Sequence, residues 1–581
     1  MLPLQCEVKL HFVKEIVKFD AKNLNICNGI THYMSFIVDK RINGRIYRYR
    51  IEAYRDAKTG RPRQRIVEYL GRVVEEGGRK KVLRKESVKP SVEEILPFGD
   101  LALLYDTAMK LDFIGTIDRM APRHGAPTGK SLLLLAINHL AGRIALGDIS
   151  EWYGRSMLRY WIGEDAGVFT EQALLGVLDI VCVQEEDMMC DHSWFISQAF
   201  RQNLEKLWGN EQRYLYYDRT QIVYNGGECY WAEFSYANAS SKERRKIGMG
   251  VVVRRGDGFP VLYRVYRGNK VDTLTVQDVR DRLKFAGMKR LTVVMDRGMA
   301  SDENILSLAE SGYHVIAGVS DNEKMFGQMV LSLTDDEIQK PSNAIRRGGS
   351  LLFACGRTVK AAGMSARYVV YQNPKTRADN IAGFLHALEE MKEKLSGFRV
   401  NRNRNASAPE TQVGRAINGF GRYFTWEIAG GRVEWNVKED EVRKTLQRLG
   451  RSMLLCTDTR IPVDEIVHAY LEKDEVEKVW RTGKGALGLN GIKHWKRDRV
   501  VSYLLVCYLA YLLWTAVRQR LREKKFDITP DKALSVLKRI EVVRFRSSGR
   551  EYCEFPRSVG AEEKLQNAFE LKQLKDAVMV K

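Results

Sequence analysis

The residues of this chain best suited to chemistry are two aspartates, each carried by a run of strand-forming residues. Asp218 lies in the aromatic run 214–219, and Asp296 ends the run 291–296, with Gly298 two residues later. A lone carboxylate in a buried strand is costly unless its charge is compensated. Hard divalent cations bind carboxylate oxygens and substrate phosphates. The two aspartates therefore predict a shared divalent-metal site at one edge of a sheet.

The elements around these aspartates predict an α/β fold with a mixed sheet. Their order is β-β-β-α-β-α-β, over 214–224, 247–254, 259–266, 275–285, 291–296, 302–311 and 313–319. Three antiparallel strands followed by strands that are reached through helices make a mixed sheet. This order, with carboxylates on the first and fourth strands, resembles the RNase H-like fold. In nucleases and transposases that fold takes a third carboxylate from a later helix.

A helix beginning near residue 461 offers the third carboxylate. Tyr470, Lys473 and Glu477 are spaced i, i+3, i+7, which places them within about 60° of one another on one helix face. Lys484 would continue that face near the end of the helix. Asp474 is the competing carboxylate, because it lies about 60° from Glu477 on the same helix.

The spacing of Tyr470, Lys473, Glu477 and Lys484 is similar to the signature of DDE transposases from bacterial insertion sequences. The similarity is to the group with a β-rich insertion before the catalytic Glu. Further blocks of the chain resemble the same group, namely 68–71, 259–273, 295–298 and 499–513. This sequence departs from the signature by placing Lys473 where arginine is usual.

The resemblance implies two-metal phosphoryl transfer on DNA. Asp218, Asp296 and Glu477 would hold two Mg²⁺ or Mn²⁺ ions per active site, with Asp218 bridging both. The products would be cleaved strands whose 3′-hydroxyl ends are joined to target DNA. The implied partners are double-stranded DNA, as terminal inverted repeats and target, and a second copy of the chain in a homodimer.

The resemblance also assigns DNA contacts near those carboxylates. Lys473 and Lys484 would hold phosphates of the transposon end, with Tyr470 packed beside them. Arg297, next to the second aspartate, would be a further DNA contact.

Length and charge agree with a DNA partner. The 581 residues exceed one hydrophobic core, and 94 Lys and Arg against 73 Asp and Glu give a net charge of +21. An untargeted basic surface is the alternative. The predicted domains are a β-rich N-terminal module for DNA contact (1–97), a helical domain for end binding or dimerisation (98–210), the first part of an RNase H-like core (211–325), a partly β insertion (326–460), the second part of the core (461–525) and a basic C-terminal tail region (526–581).

The N-terminal module has the pattern of a hairpin with a turn at Asn43-Gly44, followed by a third strand. Arginines and tyrosines interleave on these strands, which suits phosphate contact by Arg45, Arg61 and Arg63. A solvated face of a small sheet explains the pattern equally well. A charged linker is predicted over 75–89, followed by a capped helix that begins at residue 91.

Two features of the insertion also suggest DNA contact. The Asn-Arg repeat with Arg402 and Arg404 predicts a flexible DNA-contacting loop. Trp426 and Trp435 lie on two strand-like runs joined by the turn 429–431, so a hairpin would bring them together. One of them is predicted to stack on a terminal base, and packing in the core of the insertion is the alternative.

Several classes of protein are disfavoured by the sequence. Nine cysteines without a CxxC pair argue against structural zinc, and together with the lack of a secretory signal they suggest a cytoplasmic protein. The resemblance to transposases of bacterial insertion sequences implies that this cytoplasm is bacterial and that the protein is nucleoid-associated. Residues 129–131 resemble the tail of a P-loop, but His124 stands where its first glycine belongs. The uncharged run 500–517 is just long enough to span a membrane, but its polar residues favour a buried core helix.

Two other functions remain open on the sequence. A metal-dependent DNA nuclease without strand transfer would use the same carboxylates. A catalytically silent DNA-binding protein is the non-enzymatic alternative.

Overall fold

A computed structural model of the protein divides the chain into two compact units. One comprises Met1–Glu93 with Phe545–Glu551, and the other comprises Glu94–Arg544 with Tyr552–Lys581. The residues that the structure describes are 35–55, 61–76, 79–83, 91–121, 125–182, 191–209, 213–234, 244–320, 324–361, 364–401, 407–473, 492, 494–547, 550–555 and 558–578.

The first unit contains a four-stranded antiparallel sheet in the order β1-β2-β3-β4. Its strands are β1 (Ser35–Ile42), β2 (Arg45–Arg55), β3 (Pro62–Glu76) and β4 (Arg79–Leu83). Asn43 and Gly44 have φ of 48° and 75°, as a two-residue hairpin turn of type I′ requires, so the predicted hairpin is confirmed. The fourth strand lies in the segment predicted as a linker. Glu75 faces Lys80 across that strand pair, and such opposite charges stabilise it.

The boundary between the two units falls within β5 (Ser91–Pro97), where the sequence predicted a capped helix. That prediction was wrong because β5 pairs with the strand Glu541–Ser547, far along the chain, and this pairing overrides the local capping signal. The helical region predicted after it is confirmed. It contains α1 (Gly99–Lys110), α2 (Phe113–Met120), α3 (Thr128–Ile137), α4 (Ile149–Gly154), α5 (Leu158–Ile162), α6 (Glu171–Ile180) and α7 (His192–Trp208).

A nine-stranded mixed sheet forms the centre of the second unit. Its first five strands and the helices between them are β6 (Tyr214–Val223), β7 (Lys246–Arg254), β8 (Pro260–Arg267), α8 (Asp272–Phe285), β9 (Thr292–Met295), α9 (Asp302–Glu310) and β10 (His314–Gly318). β6 is antiparallel to β7 and parallel to β9, and β9 is parallel to β10. The predicted order β-β-β-α-β-α-β is therefore confirmed.

The region predicted as an insertion divides into two parts. Four of its strands extend the central sheet, which has the order β11-β12-β13-β16-β10-β9-β6-β7-β8. These strands and the two short helices before them are α10 (Lys324–Leu331), α11 (Asp335–Ile338), β11 (Ala344–Arg347), β12 (Ser350–Ala361), β13 (Met364–Gln372) and β16 (Arg451–Cys456). The expectation of one separate insertion subdomain from 326 to 460 is thus too wide, because β16 pairs with the edge of β10 and β13 pairs with β16.

Between β13 and β16 the chain makes a long excursion from the sheet. The elements of this excursion are α12 (Pro374–Gly397), α13 (Pro409–Ala416), β14 (Phe424–Ala429), β15 (Arg432–Val437) and α14 (Glu439–Arg448). They share a hydrophobic core of their own, which includes Leu388, Leu395, Val413 and Phe424.

The last part of the chain contains a helix α15, described over 463–473, and then α16 (Arg497–Glu523), α17 (Pro530–Leu537), β17 (Glu541–Ser547), β18 (Arg550–Glu554) and α18 (Ala561–Ala568). α16 is long and apolar enough to cross a membrane, but 94% of its apolar window is buried inside the protein. It packs against α1, α3, α6, α17 and β8, as the predicted core helix should. The segment predicted as a C-terminal tail is folded, and its Leu565 and Phe569 are buried in the same core.

Candidate active site

The two aspartates that the sequence singled out lie side by side in the sheet. In the parallel pair β6 and β9, Tyr214 faces Thr292 and Tyr216 faces Val294. The pairing ends there, and the same register continued by two residues would set Asp218 level with Asp296, which directly follows β9. Residues at one level of a parallel pair point to the same face of the sheet. The sequence prediction of carboxylates meeting at one place is therefore supported by the strand register.

Local structure sets the orientation of each carboxylate. Asp218 accepts a hydrogen bond of 2.8 Å from the backbone N–H of Arg219. The Arg219 side chain, which points to the opposite face, is buried and pairs with Asp272 at the start of α8. Asp296 follows the last buried residue of β9, and the chain then turns through Arg297–Met299. Its side chain is 43% exposed and open to a ligand.

Helix α15 covers the face that carries these carboxylates. Tyr216, which shares a face with Asp218, lies 3.5 Å from a carboxylate oxygen of Glu472, measured from its Oη. On the next residue of α15, the Lys473 ammonium pairs with Asp296, and the Lys473 side chain is only 4% exposed. Two successive residues of α15 thus contact β6 and the end of β9.

The ion pair between Lys473 and Asp296 shows that this position accommodates a cation. A buried ammonium group here offsets the charge of Asp296, as a bound metal ion would. Asp218 and Asp296 supply the hard oxygen ligands that Mg²⁺ and Mn²⁺ prefer. Among the described residues no group of three His, Cys, Asp or Glu is clustered to hold a metal, and Glu477 lies outside them. The two aspartates therefore fit part of a divalent-metal site.

Tyr470 lies beside the same end of the sheet. A Cβ atom placed on Gly318, the last residue of β10, would be 2.6 Å from the Tyr470 hydroxyl and 3.3 Å from the Arg297 Cβ. Real Cβ atoms do not approach that closely, so only glycine allows Tyr470 and Arg297 to meet over the end of β10. The structure thus brings Tyr470, Lys473, Arg297 and Asp296 together.

Four predicted site residues lie outside the described part of the chain. They are Glu477, Lys484, Arg402 and Arg404, and the competing carboxylate Asp474 lies outside it as well. Their assigned roles stay predictions.

The arginines of the interleaved pattern in the first unit differ in their exposure and in their pairing with carboxylates. Arg45, Arg61 and Arg63 are exposed. Others in the same interleaved pattern pair with carboxylates across the strands, Arg48 with Asp39 at 2.7 Å and Arg65 with Glu52 at 2.9 Å. Part of the positive charge on these strands is thus neutralised within the sheet.

Trp426 and Trp435 are direct cross-strand partners on β14 and β15. Both are partly buried against the core of the excursion, and the Trp435 ring packs edge-on against Phe424 at 5.7 Å between centroids. The hairpin that was predicted to bring them together is confirmed, and core packing accounts for their contacts.

Sequence reasoning missed the side chains that support the site from other elements. Arg255, in the turn between β7 and β8, pairs with both Glu465 and Glu472 of α15. Asp272 holds the neighbour of Asp218, as described above. The two members of each of these pairs are separated by 53 to 217 residues in the chain. The local sequence predicted only the turn at Arg255 and gave no signal for these contacts.

Comparison with known proteins gives one clear similarity. The sequence profile of the family described as "Transposase DDE domain" matches residues 215–513, just over half of the chain. No curated protein matches the chain significantly. One solved structure, described as the cryo-EM structure of the piggyBac transposase synaptic complex with hairpin DNA, is similar with a TM-score of 0.39 and 9% identity, covering 77% of this chain and 82% of that one.

A double-mutant cycle tests the contact between Tyr470 and the end of β10. Gly318→Ala should lower the free energy of unfolding by about 1–3 kcal/mol, because the added methyl group overlaps the Tyr470 hydroxyl. The same change in a Tyr470→Phe background should cost less, with a coupling energy of about 0.5 kcal/mol or more. Chemical denaturation of the four proteins measures both quantities.

Gly298→Ala is the matched control, since a Cβ there meets nothing within 4 Å. An equal cost of Gly318→Ala in both backgrounds would contradict the contact.

Proposed function

Because this chain belongs to the transposase DDE-domain family, we propose that it binds the ends of its own insertion sequence, cleaves the DNA there and joins the 3′-hydroxyl ends to target DNA. The observation that carries the proposal is the strand register that sets Asp218 level with Asp296 beneath α15. Both aspartates and Lys473 lie within the matched span.

The proposed core is RNase H-like. Support comes from the three antiparallel strands β6 to β8, followed by β9 and β10, which are reached through α8 and α9. In this proposal the additional strands β11, β12, β13 and β16 extend the core sheet. The excursion between β13 and β16 is the insertion that precedes the third carboxylate.

Asp218 and Asp296, with Glu477 as the third ligand, are proposed to hold two Mg²⁺ or Mn²⁺ ions. Ions bound there would activate water or a 3′-hydroxyl and stabilise the leaving oxygen. The chain's own residues set the charges around the two aspartates before an ion binds. Arg219 is kept away from Asp218 by its pairing with Asp272, and Lys473 balances Asp296.

Lys473, Tyr470 and Arg297 are proposed to contact phosphates of the DNA end. A phosphate would compete with Asp296 for the Lys473 ammonium, which is a point charge and can exchange one oxygen partner for another. Arg297 is exposed next to Asp296, where its guanidinium can reach the backbone of bound DNA. Lys484 is proposed to extend the same contact.

More distant contacts are proposed for Arg45, Arg61 and Arg63 of the first unit, and for Arg402 and Arg404. The net charge of +21 supports double-stranded DNA, both transposon end and target, as the partner. We further propose a homodimer in the DNA complex and a location with the nucleoid in a bacterial cytoplasm. Stacking of Trp426 or Trp435 on a terminal base is retained as a proposal, although both rings already pack in the core of the excursion.

A metal-dependent nuclease without strand transfer would use the same carboxylates. The two functions differ in one product, a covalent joint between the 3′-hydroxyl of the cleaved end and target DNA. Footprinting on the DNA that flanks its own gene identifies the bound ends, and incubation of those ends with Mg²⁺ and a target plasmid reveals the product. Joined ends support the proposal, whereas cleaved but never joined ends would assign a nuclease. Binding with neither product would assign a silent DNA-binding protein.

Replacing either aspartate tests the proposed metal site. Asp218→Asn or Asp296→Asn should lower cleavage by more than about 100-fold, since even residues behind metal ligands typically contribute 10–100-fold. DNA binding in a gel-shift assay should be nearly unchanged, because lysines and arginines carry it. Asp302→Asn, an exposed position six residues after Asp296, is the control and should stay active. Full cleavage by either aspartate variant would remove the metal-site assignment.

The identity of the third carboxylate is tested on the same assay. Glu477→Gln should be as inactive as the aspartate variants, because it removes the proposed third metal ligand. Asp474→Asn and Glu475→Gln should keep most of the activity. An inactive Asp474→Asn with an active Glu477→Gln would shift the assignment to Asp474.

A further inference from the structure

Helix α15 is attached to the β7–β8 turn through one arginine. The Nε of Arg255 donates to Glu472 at 2.5 Å, and its Nη1 donates to Glu465. These glutamates are seven residues apart and therefore lie on nearly the same face of the helix. The side chain of Arg255 is only 14% exposed, whereas those of Glu465 and Glu472 are each 35% exposed, so water shields the arginine end of this network less than the carboxylate end.

The position of Arg255 is fixed on the opposite side by β6. Its backbone N–H donates to the carbonyl of Tyr214 at 3.1 Å, and its guanidinium lies over the Tyr214 ring at 4.9 Å. Tyr214 is four residues before Asp218 on the same strand. Arg255 therefore ties the helix that carries Lys473 to the strand that carries Asp218.

The same turn is also hydrogen-bonded to α16, whose side chains donate to three successive carbonyl groups of the turn. The hydroxyl of Tyr511 donates to Gly258 at 2.8 Å, Arg518 donates to the carbonyl of Asp257, and Arg522 donates to Gly256 at 2.8 Å. Tyr511, Arg518 and Arg522 are spaced i, i+7, i+11 and share one face of α16. The two helices on either side of residue 477 are thus attached to one short turn.

The charge states of Arg255 and Glu472 favour a stable ion pair between the β7–β8 turn and α15. Burial lowers the pKa of Arg255, but its hydrogen bonds to Glu472 and Glu465 outweigh burial and leave that pKa above the ordinary value. For Glu472, burial raises the pKa, but the hydrogen bond and the charge of Arg255, together with His468 and Tyr216, more than offset this and leave the pKa below its ordinary value. Both partners are therefore charged near neutral pH, and loss of Arg255 would leave two carboxylates facing Tyr214 and Tyr216 without a cation between them.

We infer that Arg255 is a positioning residue for the proposed reaction: it fixes the orientation of α15 over Asp218 and Asp296. Lys473 adjoins Glu472 directly, so the orientation of α15 decides where the Lys473 ammonium meets Asp296. Glu477, the third metal ligand of the proposed function, follows Lys473 by four residues in the sequence. The inference rests on the proposed function. It adds a residue that contacts neither metal nor DNA and acts through the helix.

The test measures Mn²⁺ affinity of the full-length free protein by electron paramagnetic resonance, which needs no DNA and no turnover. Arg255→Met should weaken Mn²⁺ binding by about 10–100-fold, the range for residues that orient metal ligands. Arg255→Lys keeps the charge but cannot bridge two carboxylates with a planar fork, so it should be intermediate. Gel-shift affinity for DNA should change little, and the melting temperature shows at which temperatures each variant is folded for the Mn²⁺ measurement.

Arg522→Gln is the matched control, because Arg522 binds the same turn through a carbonyl and is not bonded to α15. A charge exchange, Arg255→Glu with Glu472→Arg, should restore part of the lost Mn²⁺ affinity, which a merely structural loss would not allow. If Arg255→Met does not fold, Glu465→Gln removes one of the two ion pairs of Arg255. This variant should weaken Mn²⁺ binding measurably, but by less than the factor expected for Arg255→Met.

Mn²⁺ affinity equal to wild type in Arg255→Met or, where that does not fold, in Glu465→Gln would overturn the inference, as would no recovery in the charge exchange. Failure of the proposed function itself would give a different result. If the aspartates do not form a metal site, the wild-type protein would bind no Mn²⁺ at them, and Asp218→Asn would bind as much Mn²⁺ as wild type.

Discussion

The site depends on the repulsion between two carboxylates that the sheet forces together. Continued by two residues, the parallel register of β6 and β9 sets Asp218 level with Asp296, and two neighbouring negative charges require a cation between or beside them. Part of this requirement is met by the Lys473 ammonium on Asp296. The same requirement makes the site receptive to divalent ions, which carry more charge and accept both carboxylates at once.

Two buried arginines near these aspartates have carboxylate partners of their own. Arg219 follows Asp218 directly, yet it points to the other face and is engaged by Asp272. Arg255 is engaged by Glu465 and Glu472. Because each of these buried arginines has carboxylates of its own, neither competes with a metal ion for Asp218 or Asp296. The cation that contacts Asp296 is a lysine on a helix, which can exchange partners more easily than a bidentate arginine can.

Local patterns in the sequence were sufficient for the elements that bear the aspartates. Buried strand-forming runs, the turn around residues 255–258 and helical spacing after residue 272 are properties of neighbouring residues, and the structure confirms the resulting order. The failures have non-local causes. β5 has a helix-capping signal but pairs with a strand more than 400 residues later, and the strands of the predicted insertion join the central sheet because β10 offers them an edge. The contact of Arg255 with α15 spans 217 residues and leaves no local signal.

Anomalous diffraction from crystals of the protein soaked in Mn²⁺ tests the central claim most directly. The expected result is a peak within about 2.0–2.3 Å of carboxylate oxygens of both Asp218 and Asp296, the usual range for such ions, with the Lys473 ammonium displaced from Asp296. A fully soaked crystal with no peak at these aspartates, and with Lys473 still paired to Asp296, would contradict a metal-dependent active site at this position.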